Sequence, residues 1–520
     1  MEFAAHEEVV GDVGALRALR DDGDRVVFIH GDRSLTARES ASIVYRMARV
    51  LAQAGVRRGS AVAMLSMNLP EAYLAQLAVE HLAARYTPLH PMGSLADHAF
   101  ILEDAEIDVL LYDARLYSER ASDLRGRGVV RQSFALGPDG DLPDAVALAS
   151  VQSDEPTAPT PRSGADIQTL YYTGGTTGRP KGVMHTGFGR WYTQALSVGN
   201  AAAEKRDREP RILISTPISH AGGTAIGPML MRGGSVVLVD RFEPAEFLRL
   251  VEQHQVTQTF LVPTMIYVLL DYLREHPKID VSSLEHVTYG AAPMSPTRLK
   301  EAIERIGPVF VQGYGQTEAG VGILNLPAAD HRLDRLDLLS SAGRPMPGVV
   351  ARILREDGTQ ADVGEVGELC LRGPFVMKGY WKNPELTEHA LRGGWLHTDD
   401  LGFVNGDGYI TLVDRRKDMI ISGGFNVYPS EVEAGLSEHP AVSSCAVIGV
   451  PDEKWGEAVK AYVVLKDGAA VTEEDLIAHA RVAKGRVNAP KSVEFIDELP
   501  LTPVGKLDKK SLRMRASLLH

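Results

Sequence analysis

Tyr171-Tyr172-Thr173-Gly174-Gly175-Thr176-Thr177-Gly178-Arg179-Pro180-Lys181-Gly182 is the stretch on which the reading of the whole chain turns. It continues the strand-like run 167–172 and then spaces four glycines among threonines and one lysine. Glycine lets the backbone take positive φ and come close to a ligand. Successive backbone N–H groups in such a turn form an anion nest, to which threonine hydroxyls and a lysine add donors. That is what a polyphosphate needs. A Walker A loop ends Gly-Lys-Ser/Thr, whereas Lys181 stands between Pro180 and Gly182, so this is a different phosphate loop. Taken alone, a Gly/Thr-rich turn is also the pattern of a flexible surface loop, so its neighbours have to decide.

Working outward, short β-rich runs alternate with helical patterns on both sides. Before the loop, 61–67 and 109–112 read as strands around a helix at 71–84. After it come strands at 211–215, 235–239, 258–262, 286–289 and 309–312, separated by helices at 225–232, 244–254, 264–274 and 296–306. This rhythm predicts an α/β fold with two helix-covered, mostly parallel sheets. Residues 341–413 break it with strands at 349–354, 368–372 and 409–413 between Gly-rich turns, which predicts a β-rich, distorted-barrel subdomain. After residue 414, strands at 442–449 and 459–465 with a helix at 473–483 predict a small α+β domain. The domains are therefore expected at 1–413 and 419–520, with 414–418 as a charged hinge linker, and 151–165 as an exposed loop.

At 520 residues the chain exceeds what one core can hold. Apolar content of 44% and charged content of 24% are those of a soluble protein, and no apolar run approaches the length of a membrane span. No secretory signal is read at the N-terminus, and with only two cysteines, Cys370 and Cys445, at no metal or redox spacing, a reducing cytoplasm is expected. A net charge of -13 argues against general nucleic-acid binding. The one basic cluster, Lys506, Lys509, Lys510, Arg513 and Arg515, reads as a solvated helix face apart from Lys506.

Six further motifs follow in a fixed order: Thr216-Pro217-Ile218-Ser219-His220, Gly290-Ala291-Ala292-Pro293, Tyr314-Gly315-Gln316-Thr317-Glu318, Trp395-Leu396-His397-Thr398-Asp399-Asp400, Asp414-Arg415-Arg416-Lys417-Asp418 and Pro503-Val504-Gly505-Lys506. With the phosphate loop, they resemble the adenylate-forming superfamily of acyl-CoA synthetases, luciferases and peptide-synthetase adenylation domains, from about residue 25 to 515. The chain is most similar to an acyl-CoA synthetase. The resemblance implies ATP, Mg²⁺ and coenzyme A as cofactors and substrates, with a carboxylic acid activated as its AMP anhydride. Thr173, Gly174, Gly175, Thr176, Thr177, Gly178 and Lys181 would hold phosphate. Gly290, Ala291, Ala292, Pro293, Gln312, Gly313, Tyr314 and Gly315 would hold adenine, with Tyr314 as the stacking ring. Asp400 would accept from the ribose hydroxyls and Arg415 would contact the ribose. Thr317 would bond the α-phosphate, and Glu318 with Thr176 would hold Mg²⁺, a hard cation suited to oxygen. Lys506 would bridge the two anions that must react. The small domain would turn about Lys417, with Gly423 and Gly424 lining the path of the thiol.

The acyl pocket is expected between 219 and 323. His220 stands in the gating position, and Ala221, Gly222, Gly223, Gly227, Gly290, Gly313, Gly320 and Gly322 leave volume around it. Small side chains favour a bulky or extended apolar acid, aromatic or alicyclic, over acetate. No acidic residue lies between 211 and 229 to pair with an ammonium, so amino acids are disfavoured. Free coenzyme A is the expected acceptor, and a separate carrier protein the second. The chain is expected to be a homodimer or a monomer. Two positions depart from the common pattern: Gly174 replaces a serine, and Asp399 replaces a glycine and sets a second carboxylate beside Asp400. They leave open an enzyme that only transfers a preformed acyl-adenylate to thiol, and, in a different class, a silent nucleotide- or acyl-binding protein.

Overall fold

The computed structural model describes residues 14–173, 179–202, 208–416, 418–422, 425–452, 455–466, 468–502 and 507–517. Short strands followed by proline-started helices set its rhythm. Six helices carry proline in their first turn, Pro70, Pro244, Pro263, Pro296, Pro384 and Pro429. The proline ring is preset for a helical φ, and the N–H it lacks has no partner at that position anyway. A buried strand therefore stops, turns and becomes a helix within a few residues.

Two large sheets result. In the seven-stranded sheet, Gly379–Tyr380, Lys181–Thr186, Ile167–Thr173, Arg85–Pro88, Ala61–Leu65, Val109–Asp113 and Gln132–Leu136 lie in that order, the last five parallel. The nine-stranded sheet has a parallel middle formed by Phe310–Gln316, His286–Gly290, Gln258–Leu261, Arg211–Ile214, Ser235–Leu238 and Val26–His30. The strand Val26–His30 comes from the far N-terminus, a long-range pairing that local periodicity does not disclose. The helix Pro70–His81 is buried over nearly its whole surface. Its Leu74 and Leu77 share one core with Val62, Met64 and Leu111 of the smaller sheet and Ile214, Val236 and Leu238 of the larger, so it lies between the two. Its apolar residues accordingly fall on every side of the helix, and Glu71, Glu80 and His81 are buried with them.

The β-rich stretch is an antiparallel sheet of Val350–Leu354, Gly367–Arg372, Leu396–Val404 and Ile410–Arg415. Asp414 and Arg415, expected in the linker, complete its last strand. The C-terminal α+β unit pairs Val442–Asp452 with Gly456–Leu465, which Ser492–Phe495 joins in parallel. The helices Pro429–Ser437 and Glu473–Asn488 contact each other and belong to the same unit. On the basic helix Lys509–Ser517, Lys510 and Arg515 are exposed as a solvated face requires, while Lys509 and Arg513 are partly buried, and three of the four basic residues make ion pairs. Lys509 Nζ pairs with Glu433 at 2.9 Å, Arg513 with Asp418 at 2.7 Å and Arg515 with Glu494 at 2.8 Å, so charge ties the helix onto its own domain.

Leu74 is fully buried where both sheets meet the central helix. Leu74→Ala is expected to lower stability by about 2–5 kcal/mol, read as a lower denaturant midpoint, because the site is walled in and can collapse little.

Candidate active site

The parallel strands run so that their C-terminal ends open toward the motifs. Arg211–Ile214 leads to Thr216–His220, His286–Gly290 to Ala291-Ala292-Pro293, Phe310–Gln316 to Thr317 and Glu318, and Ile167–Thr173 to the phosphate loop. This is where open α/β sheets bind ligands. One residue outside the sequence reading straps the two sheets together there. Asn68 is fully buried beyond the strand Ala61–Leu65. Its amide nitrogen donates to Thr216 O (3.0 Å) and Val239 O (2.8 Å), and its oxygen accepts from Ile218 N (2.9 Å). It fixes the loop that carries His220.

At the ends of the strands His286–Gly290 and Phe310–Gln316, Gly290 pairs with Gly313, and a Cβ on Gly290 would fall 2.1 Å from Gly313 O. Glycine is therefore demanded by close approach of two backbones. Ala291 sits at a left-handed φ of 66°, which turns the chain sharply beyond the strand. Beside this turn, Gln312 Oε1 is buried and has no hydrogen-bond partner among the described residues. An orphaned buried acceptor is costly until something donates to it.

The buried carboxylate of Asp400 links three parts of the chain. The Tyr314 hydroxyl, from the nine-stranded sheet, donates to Oδ2 at 2.5 Å, and Arg415 Nε donates to Oδ1 at 3.2 Å. Each oxygen keeps a further lone pair for an incoming hydroxyl. Burial pushes the Asp400 carboxyl above its ordinary value, against the opposing pull of Arg415 and the Tyr314 hydroxyl.

Thr317 and Glu318 are held as a turn. His185 donates from Nε2 to Thr317 O at 2.7 Å, and burial holds this histidine down to about 4, so it stays neutral in that role. Met377 N donates to Glu318 O at 2.8 Å, and the Tyr380 hydroxyl to the Glu318 carboxylate at 2.9 Å. Lys181 Nζ lies 4.8 Å from the centre of the Tyr380 ring. Tyr380, which the sequence reading missed, thus joins the end of the phosphate loop to the acidic turn. Its signal was the Gly379-Tyr380 pair, whose strand closes onto Val183 and Met184. No lysine, arginine or histidine among the described residues forms an ion pair with Glu318. A carboxylate without a protein counter-charge suits a hard divalent cation.

His220 opens the short helix Ala221–Thr224, with Ser219 Oγ 2.9 Å from its Nδ1 and the His90 ring edge-to-face at 4.6 Å. His90, beyond the strand Arg85–Pro88, packs against His220 and is a contact that the sequence reading did not find. Burial holds it down to about 4, so it meets His220 as a neutral ring. The glycines around the pocket divide by cause. At Gly222 and Gly223 an added Cβ would strike Thr216 and Ile218 at 2.6 and 1.9 Å, so these are packing glycines. Gly320 and Gly227 face Thr193 and the Tyr73 hydroxyl with Gln194, while Gly322 faces open space. Polar groups from the helix Gly187–Ala202, Thr193 and Gln194, therefore stand beside these glycines. Gly174, Gly175, Thr176, Thr177, Gly178, Lys417, Gly423, Gly424 and Lys506 lie outside the described residues.

Comparison with known proteins agrees over nearly the full length. The AMP-binding enzyme family matches residues 16–381, and the AMP-binding enzyme C-terminal domain matches residues 431–506. The medium/long-chain-fatty-acid–CoA ligase FadD8 of Mycobacterium tuberculosis is 42% identical, over 97% of this chain and 89% of its own. A feruloyl-CoA synthase from an Amycolatopsis species is 40% identical, over 94% of this chain and 95% of its own. The solved structure of the amide bond synthetase McbA from Marinactinospora thermotolerans superposes with a TM-score of 0.89 at 36% identity, covering 97% of this chain and 100% of that one.

The raised value of Asp400 has a consequence for pH. If Asp400 accepts from a bound nucleotide, it does so as the carboxylate, so that affinity is present above the raised value and lost as pH falls through it. AMP affinity in a calorimetric pH series is expected to decline on the acid side at a higher pH than an exposed aspartate would give. In Asp400→Asn that contribution should vanish, leaving only the titration of the phosphate.

Proposed function

The chain belongs to the AMP-binding enzyme family, and from that membership we propose that its acid is bulky and apolar or aromatic and that free coenzyme A takes the acyl group. The reaction class is that of an acid–thiol ligase. ATP and the acid give acyl-AMP and pyrophosphate, and a thiol then displaces AMP to leave the thioester. The observation that carries the reading is the convergence of Tyr314, Asp400, Arg415 and the Glu318 turn at the C-terminal ends of parallel strands. In this reading the ribose hydroxyls donate to the remaining lone pairs of Asp400, and the adenine amine donates to the orphaned Gln312 Oε1. The Tyr314 ring supplies the stacking face.

Glu318, with Thr176 of the phosphate loop, would hold Mg²⁺, which supplies charge neutralisation for the polyphosphate. The neutral His185 fixes Thr317 so that its hydroxyl is presented to the α-phosphate. Lys506 offsets the repulsion between the attacking carboxylate and that phosphate. On the acyl side, His220, backed by His90, separates the acid from the nucleotide. A feruloyl-CoA synthase and a fatty-acid–CoA ligase among the relatives support a large acid over acetate.

A panel of aromatic, alicyclic, medium-chain and acetic acids, supplied with ATP and coenzyme A, tests the substrate. Pyrophosphate and acyl-CoA are expected from the larger acids, and acetate as the best substrate would contradict the pocket. Thioester from synthetic acyl-AMP without pyrophosphate from ATP would make the enzyme a transferase of preformed adenylate. Pyrophosphate without acyl-CoA would point to a carrier protein or an amine as acceptor. Lys506→Ala is expected to lose adenylation by a factor on the order of 10²–10³ while keeping thioester formation from synthetic acyl-AMP. Equal loss of both steps refutes the assigned role.

A further inference from the structure

Asp400 is aimed by an irregularity in its strand. Between the pairs Cys370–His397 and Glu368–Leu401, two residues advance on Gly367–Arg372 while four advance on Leu396–Val404. Thr398, Asp399 and Asp400 therefore bulge, and Asp399 at the crest has φ 60°, where a non-glycine residue is strained. Something has to hold that crest. The Asp399 N–H donates to Glu368 Oε1 at 3.1 Å, and the Asp399 carbonyl accepts from Arg416 N at 2.8 Å. Thr398 Oγ1 donates to Leu369 O at 2.7 Å and accepts from Asp400 N at 3.1 Å, which turns the next side chain inward.

Glu368 is 3% exposed, and its other oxygen gathers His397 Nδ1 at 2.8 Å, Arg392 Nη2 at 3.2 Å and Arg416 Nη2 at 3.5 Å. Cys370 Sγ lies 3.4 Å from the same His397 nitrogen, so Glu368, Cys370 and His397 come within metal-ligand spacing, an arrangement their positions in the chain do not foreshadow. The chemistry of the cluster is not that of a metal site. Two guanidinium groups already balance the carboxylate, and burial pushes the Cys370 thiol up to about 12, whereas a metal takes the thiolate. The carboxylate serves the backbone beside it.

We propose that Glu368 is a positioning residue for nucleotide binding: by accepting the Asp399 N–H it staples the bulge that aims Asp400 at the ribose. The proposal rests on Asp400 being the ribose ligand, and Asp400→Asn separates the two ideas. If Asp400→Asn leaves AMP affinity unchanged, that reading falls; if it weakens AMP while the staple variants do not, the staple alone falls. Glu368→Met keeps the length of the side chain and removes the acceptor. Its AMP Kd is expected to rise about tenfold, roughly the cost of losing a held left-handed residue. Glu368→Gln keeps an acceptor for the Asp399 N–H but turns its amide NH2 toward Arg392 and Arg416, so its AMP Kd is expected to fall between those of the parent and Glu368→Met. In an Asp399→Gly background the left-handed crest no longer strains the backbone, so the Glu368→Met loss is expected to shrink to about threefold. Equal losses in both backgrounds overturn the proposal, because a merely structural carboxylate would act the same in each. Should Glu368→Met fail to fold, the crest itself is tested. Asp399→Gly is expected to bind AMP at least as tightly as the parent and Asp399→Val about tenfold more weakly, and equal affinities overturn the proposal.

Discussion

The contact on which the site depends is the one that Tyr314 and Arg415 make with Asp400. A hydroxyl from the nine-stranded sheet, a carboxylate from the β-rich sheet and a guanidinium from the strand that leads into the C-terminal unit meet at one buried point. The carboxylate is desolvated, and its charge is tolerated because two donors already face it. A ligand bringing two more donors completes what the protein leaves half-satisfied. The same meeting point joins the nine-stranded sheet, the β-rich sheet and the chain segment that leads into the C-terminal unit.

Around that point the chain uses backbone more than side chains. Gly290 stands against Gly313 because no Cβ fits between them, and Ala291 and Asp399 take left-handed backbone where the chain must turn. Asn68 ties the His220 loop, through Thr216 O and Ile218 N, to Val239 O beyond the neighbouring strand, and His185 and Met377 hold the Glu318 turn through its main chain in the same way. Such supports cost free energy in strain and burial, and they keep catalytic groups from wandering. The second domain is joined at the same edge. Ser430 N donates to Asp414 Oδ2 at 3.1 Å and its hydroxyl to Val413 O, so the helix Pro429–Ser437 rests on the end of the strand that carries Arg415.

Much of this was legible in the sequence, and what was not has a physical reason. The helices at 244–254 and 296–306 match their sequence limits because proline opens each and amphipathic periodicity runs to the end. The helix Pro70–His81 was legible as helix but not as the element between two sheets, since burial on all sides leaves no face to read. Asn68, His90 and Tyr380 were missed because each acts through partners more than a hundred residues away, or across a loop, with no local pattern. The glycines of the acyl region illustrate the opposite case. Composition suggested open volume, but Gly222 and Gly223 are small because Thr216 and Ile218 press against them. Glu368 was read as part of a plain strand and His397 as part of a motif, and only the bulge reveals why a buried carboxylate belongs there.

A crystal structure with a non-hydrolysable acyl-adenylate analogue of an aromatic acid tests the central claim most directly. The account predicts both ribose hydroxyls within roughly 3 Å of the Asp400 oxygens, adenine flat against the Tyr314 ring and the acyl group beyond His220. A ribose bound elsewhere, with Asp400 still closed off by Tyr314 and Arg415, would contradict it.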